Sequence, residues 1–205
     1  PQGAVISPLL SNIYLDSLDH RMAEQGYEMT RYADDFVIQC QSLEEAEQAL
    51  AMVREWVAQA GLQLHPEKTK IVDAAQRGGF DFLGYHFERG KKWPRRKSMT
   101  KFREAIRKET KRNNGKCLNA IMARLNPKLR GWFGYFQHSG QQTFKDVDGW
   151  VRGRLRSILR RRLHRRGRAR GRDHQRWTNA YFAAQGLYSL EVAHRAVCQS
   201  RGGNC

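Results

Sequence analysis

The sequence predicts an α+β fold, a small antiparallel sheet with helices on one face, followed by an all-helical region. Three observations carry that expectation. Residues 1–88 alternate in the order helix, hairpin, helix, strand, strand. Composition then shifts near residue 90, at the basic stretch "RGKKWPRRKS". Beyond that point only helical periodicity appears.

The first helix opens at Pro8, whose fixed φ suits a first helical turn. Leu10, Ile13, Tyr14, Leu18 and Met22 recur at three- and four-residue steps and define its apolar face, which ends near Gly26. Residues 28–40 carry β-prone residues on both sides of Asp34-Asp35, a hairpin pattern with the acids near its tip. Ser42 and Glu45 form a capping box for the next helix. Its apolar stripe is Leu43, Ala46, Leu50, Val53, Val57 and Ala60, and Gly61 closes it. "LQLHPEKTKIV" predicts a turn at Pro66 and then a short strand. "FDFLGYHF" at 80–87 reads as a strand or as a hairpin with a glycine in it. Helices are then expected over roughly 99–112, 117–136 and 143–163. The last of these places Phe144, Val147, Val151, Leu155, Ile158 and Leu163 on one face. A short helical tail follows an Arg/Gly loop at 165–172.

Charge says more about partners than about fold. The 205-residue chain carries a formal net charge of +17, and residues 151–172 hold eleven Arg and no acid. Such a balance points to polyanions, and Arg binds phosphate in bidentate fashion. Amphipathic helices with Arg on the wet face suit an RNA-backbone groove. The candidate RNA-binding residues are Arg130, Arg152, Arg154, Arg156, Arg160, Arg161 and Arg162. A solvated basic face is the plain alternative. Cys40, Cys117, Cys198 and Cys205 form no CxxC pair, and no signal peptide or transmembrane-length apolar run is present. These features predict a cytoplasmic protein with no membrane partner.

The two adjacent acids pose the chemical question. Inside a sheet one of them would be buried and unpaired, at a cost of several kcal/mol. At a hairpin tip both can face a cleft, and a divalent cation can offset their charge. Mg²⁺ prefers carboxylate oxygens, water and phosphate, and two such ions can serve both oxygens of a phosphoryl transfer. A plain turn with solvated acids is the alternative.

"YADD" at 32–35 resembles the Tyr-x-Asp-Asp box of reverse transcriptases. "PQGAVISPLLSNIYLDSLD" at 1–19, "GLQLHPEKTKIV" at 61–72 and "FDFLGYHF" at 80–87 resemble neighbouring blocks of group II intron-encoded reverse transcriptases. "LNPKLRGWFGYF" at 125–136 and "FKDVDGWVRGRLRSILRRR" at 144–162 resemble the maturase domain, or thumb, of that family. The resemblance implies part of a right-hand polymerase. Residues 1–90 would be the C-terminal part of the palm, 91–98 a basic linker, 99–165 a helical thumb/maturase domain and 166–205 a basic tail with short helices.

It also implies roles. Asp34 and Asp35 would be the catalytic metal-binding acids, with two Mg²⁺ ions expected in the complete enzyme. Tyr32 and Ala33 would lie by the primer end and the incoming sugar. Gln2 and Gly3 would line the nucleotide pocket, and Lys68 would lie near the nucleotide phosphates. Leu83, Gly84 and Tyr85 would form the primer grip. The implied partners are group II intron RNA, a DNA primer or target, and deoxynucleoside triphosphates. The implied activity is RNA-directed DNA synthesis together with assistance to intron splicing.

Ala4 departs from the family, which often has a second glycine there. The family's third palm carboxylate lies on an earlier strand, so the chain by itself is expected not to extend a primer. No paired-cysteine pattern follows the maturase block, so no DNA endonuclease is expected. The competing readings are a non-catalytic RNA-binding splicing factor, another lineage of reverse transcriptase such as a retron, and a decayed gene remnant.

Overall fold

A computed structural model describes residues 6–165, 167 and 169–200. The chain forms two compact units, Pro1–Asp73 and Ala74–Cys205.

In the first unit, helix α1 (Ser7–Glu24) carries Pro8 in its first turn. The hairpin follows as β1 (Glu28–Tyr32) and β2 (Asp35–Gln39), paired antiparallel from Glu28 opposite Gln39 to Tyr32 opposite Asp35. Helix α2 (Leu43–Gln59) opens at the expected N-cap, Ser42, but the return bond of the capping box goes to Gln41, one residue before the cap. Ser42 Oγ accepts from the Glu45 amide at 3.1 Å, and Glu45 Oε2 accepts from the Gln41 amide at 2.6 Å. Leu18 and Met22 of α1 pack on Ala49, Val53 and Val57 of α2, with Met29, Phe36 and Ile38 of the hairpin against them. Burying each such side chain contributes ~1.5–3 kcal/mol.

Two expectations need correction here. Leu10, Ile13 and Tyr14 are more than half exposed, so only the C-terminal half of the α1 stripe enters this core. The hairpin and α2 reach the level of Leu18 and Met22; nearer the N-terminus, Tyr14 donates its hydroxyl to the Ala60 carbonyl at 2.6 Å instead. The short strand after Pro66 does not form. Lys68 and Thr69 close a turn on the His65 carbonyl, and no ladder partner takes up residues 69–73.

The second unit begins with a three-stranded antiparallel sheet, β3 (Phe80–Phe82), β4 (Tyr85–Glu88) and β5 (Lys91–Pro94). Helix α3 spans Arg96–Glu109. The stretch read as a linker is therefore ordered: Lys91–Pro94 complete the sheet, and Arg96 already lies in α3. Next come α4 (Leu118–Phe136) and α5 (Gln141–Arg162), then the shorter α6 (Gly171–Arg176), α7 (Asn179–Ala184) and α8 (Leu190–Ser200). One core joins Phe102 and Ile106 of α3, Leu125, Leu129 and Phe133 of α4, and Phe144, Leu155 and Ile158 of α5. Trp177, Phe182 and Leu190 from the tail enter the same core. Asp148 on α5, 3% exposed, caps α8 by accepting from Ser189 Oγ at 2.6 Å and from the Leu190 amide at 3.0 Å. Among the described residues, no helix is long and apolar enough to cross a membrane.

Candidate catalytic hairpin and nucleic-acid interface

The β1–β2 register leaves Ala33 and Asp34 as a two-residue turn, with Asp35 the first residue of β2. Ala33 takes a left-handed φ of +54°, which a non-glycine residue adopts at a cost. Arg31 holds this turn. Its Nη1 donates to the Ala33 carbonyl at 3.0 Å and to Asn12 Oδ1 at 3.1 Å. Its Nε donates to Asp19 Oδ1 at 2.8 Å, and Nη2 donates to Asp19 Oδ2. The Asp19 carboxylate raises the Arg31 pKa above its ordinary value, so the guanidinium stays charged.

Asp34 and Asp35 are both exposed at the tip. Among the described residues, no basic side chain forms an ion pair with either of them, although cations outnumber acids in this chain. Two adjacent carboxylates left free are a hard-oxygen donor set that fits Mg²⁺. Among the described residues no group of three His, Cys, Asp or Glu side chains gathers to complete a metal site. Tyr32 is 68% exposed beside the acids. Lys68 is exposed in the turn after Pro66. Gln2 and Gly3 lie outside the described residues, as does Ala4.

In the second unit Leu83 and Gly84 form the two-residue turn between Phe82 and Tyr85. Both have positive φ, +45° and +81°, the signature of a turn matched to hairpin twist. The turn is fastened to α4 by reciprocal bonds. Tyr85 donates to the Tyr135 carbonyl at 2.6 Å, and Tyr135 donates to the Leu83 carbonyl at 2.7 Å. The Gly84 carbonyl accepts from the Arg95 amide at 2.9 Å and from Ser98 Oγ at 3.0 Å. A Cβ on Gly84 would stand 3.3 Å from that hydroxyl.

The candidate RNA-binding arginines divide by what they touch. Arg156 is 4% exposed; its Nε donates to the Trp177 carbonyl at 2.8 Å and its Nη2 to Asn179 Oδ1 at 2.9 Å. Arg160 pairs with Asp173 at 2.5 Å, and Arg152 lies 3.7 Å from Asp148. Arg154 donates to the side chain and carbonyl of Thr110. Arg154, Arg156 and Arg160 tie α5 to its neighbours, whereas the Arg152–Asp148 pair lies within α5 itself. Arg130 is exposed, 5.3 Å from the Tyr188 ring. Arg161 and Arg162 are exposed, and Arg162 donates to the Lys116 carbonyl. In the aromatic cluster of α4, Phe133 and Phe136 are buried and Trp132 stacks on Phe102 at 4.5 Å.

Sequence reasoning missed the support of the hairpin by Arg31, Asp19 and Asn12. An Arg three residues before the first aspartate was the available signal. Asp19 gave none, because twelve residues and a chain reversal separate it from Arg31.

Among the described residues the hairpin presents two carboxylates without an ion-pair partner, in a strongly basic chain whose charge attracts polyanions. Residues 1–87 match the model for reverse transcriptase (RNA-dependent DNA polymerase), and residues 99–177 match that for the group II intron maturase-specific domain. The chain belongs to the reverse transcriptase/maturase family. It is a partial palm followed by a helical domain. It is 37% identical over 82 residues to the retron Mx65 reverse transcriptase of Myxococcus xanthus, a match covering 38% of this chain and 18% of that protein. It is 35% identical over 75 residues to the retron Ec86 reverse transcriptase of Escherichia coli, covering 35% of this chain and 23% of that protein. The chain thus spans about a fifth of the length of the curated relatives it matches.

Proposed function

We propose that this chain supplies the C-terminal palm and the maturase region of an RNA-directed DNA polymerase that also assists the splicing of a group II intron. The observation that carries the polymerase part is the pair of unpaired carboxylates, Asp34 and Asp35, held at a hairpin tip within the segment that matches reverse transcriptases. Asp34 and Asp35 would hold Mg²⁺. Bound there, the metal supplies charge stabilisation for the attacking and leaving oxygens of nucleotidyl transfer. Arg31 keeps the turn in place, so the acids need little reorganisation at the moment of reaction. Tyr32 and Ala33 border the primer end and the incoming sugar; Gln2 and Gly3, outside the described residues, keep the nucleotide-binding role that the resemblance implies for them. Lys68 meets the phosphates of the incoming deoxynucleoside triphosphate. Leu83, Gly84 and Tyr85, rigid through their ties to α4, grip the DNA primer.

The maturase part rests on the match over residues 99–177 and on the basic helical surface. The protein would clamp folded intron RNA through phosphate and 2′-hydroxyl contacts, and the RNA would carry out the splicing steps. That match also favours the group II intron lineage over a retron. A maturase without polymerase activity is the second reading, favoured by the three α5 arginines, Arg154, Arg156 and Arg160, that tie the domain together independently of the aspartates.

Asp34→Asn in the intact protein separates the two. RNA-templated primer extension should be lost while intron excision continues at its original rate. Unchanged extension would sink the polymerase assignment. Loss of excision together with extension would contradict the division of labour.

A further inference from the structure

Trp150 on α5 is half-buried, and three guanidinium groups surround its ring. The Arg103, Arg107 and Arg154 guanidinium carbons lie 5.8, 5.9 and 5.7 Å from the ring centroid. Arg154 is fixed: Nε donates to Thr110 Oγ1 at 2.5 Å and Nη2 to the Thr110 carbonyl at 2.7 Å. Arg103 and Arg107 lie on the exposed face of α3, one turn apart. Among the described residues, none of the three forms an ion pair. Glu109, the acid at the end of α3, is taken by Lys128 at 3.6 Å and Arg124 at 4.0 Å. Burial, followed by the charges of Arg107 and Arg112, lowers the Arg154 pKa, which is a second mark of like-charge crowding.

Cation–π contact compensates part of this repulsion. Like charges one helical turn apart still oppose each other. An anion would relieve the rest. Arg103 and Arg107 stand about 6 Å apart along the helix axis, and their long side chains can reach neighbouring phosphates of one strand. The flat indole and the fixed Arg154 give a rigid floor beneath them.

We propose that Arg103, Arg107, Arg154 and Trp150 form a phosphodiester-binding site in which Arg103 and Arg107 contact neighbouring phosphates of one nucleic-acid strand. The site rests on the nucleic-acid reading above and adds to it. Arg103, Arg107 and Trp150 lie outside the arginines that the sequence pattern selects, and the α3–α5 face becomes the contact surface.

The test is binding of labelled RNA and DNA duplexes of about 20 base pairs to the full chain, between about 50 and 200 mM salt. Arg103→Gln/Arg107→Gln should weaken binding by about tenfold and reduce the slope of log affinity against log salt by about two. Lys91→Gln/Lys92→Gln removes the same charge elsewhere on the unit and should change affinity by less than about threefold. Arg103→Lys/Arg107→Lys should restore the salt slope. The arm in which the loss appears, RNA or DNA, names the source of the phosphodiester. If the arginine pair behaves like the lysine pair on both duplexes, the site is wrong while the nucleic-acid reading stands. If the unaltered chain binds neither duplex, the broader reading fails with it.

Discussion

Arg31 Nη1 donates to the carbonyl of Ala33 at 3.0 Å, across the turn that carries Asp34. The same guanidinium is fixed on Asp19 and Asn12, so a helix residue twelve positions upstream governs the hairpin tip. Replacing Arg31 with Gln should release the Ala33 turn. The Ala33 carbon shifts should leave the left-handed range, and amides 32–36 should exchange faster. Arg31→Lys should fall between, because a compact ammonium lacks the planar fork that pairs with Asp19 through two nitrogens while a third reaches Asn12 and the carbonyl. Methyl signals of Leu18 and Met22 should stay in place, marking an intact core. Unaltered Ala33 shifts in both variants would remove Arg31 from this role.

The second unit has its own fastened turn. Gly84→Ala forces a side chain into φ +81°, with Ser98 Oγ 3.3 Å from the new carbon. The left-handed backbone alone costs roughly 1–2 kcal/mol. Tyr135→Phe removes one hydrogen bond to the Leu83 carbonyl, worth about 1 kcal/mol. Chemical denaturation should show both losses without a change in m-value. Hydrogen exchange should place them at residues 82–85 and the end of α4. A Gly84→Ala protein as stable as the original would contradict the turn geometry.

His194 gives a pH dependence. It is 6% exposed and packs 4.8 Å from the Phe144 ring. Burial lowers its pKa, against a smaller opposing effect from the Ser139 backbone. The folded state therefore holds it neutral where the unfolded chain already takes up a proton. Its stabilising contribution is present above the ordinary histidine value of ~6.5 and is lost as pH falls below it. Between about pH 7 and 5, His194→Gln should flatten the fall in melting temperature. Carboxylate effects are common to both proteins, so the difference isolates this residue. Parallel pH profiles would refute the assignment.

Much of this was legible in the sequence because local signals agreed. The Ser42–Glu45 box set the start of α2, and the pair of acids between β-prone flanks set the hairpin. Relations that depend on distant contacts were not legible. The α1 stripe read as uniformly buried, yet periodicity cannot say how far a core extends. Lys91–Pro94 read as a linker because of their basic composition, but they form a strand because pairing with β4 satisfies their backbone. The run of arginines on α5 read as one binding face. Burial of Arg156, and the partners of Arg154 and Arg160, instead divide it between holding the domain together and facing solvent.

The metal reading of Asp34 and Asp35 meets its sharpest test in Mn²⁺ titration of the full chain, followed by amide line widths. The hairpin account predicts selective broadening of residues 33–36. It predicts loss of that broadening in Asp34→Asn/Asp35→Asn, with the rest of the spectrum unchanged. Broadening that is absent from these amides, or that survives in the double variant, would contradict it.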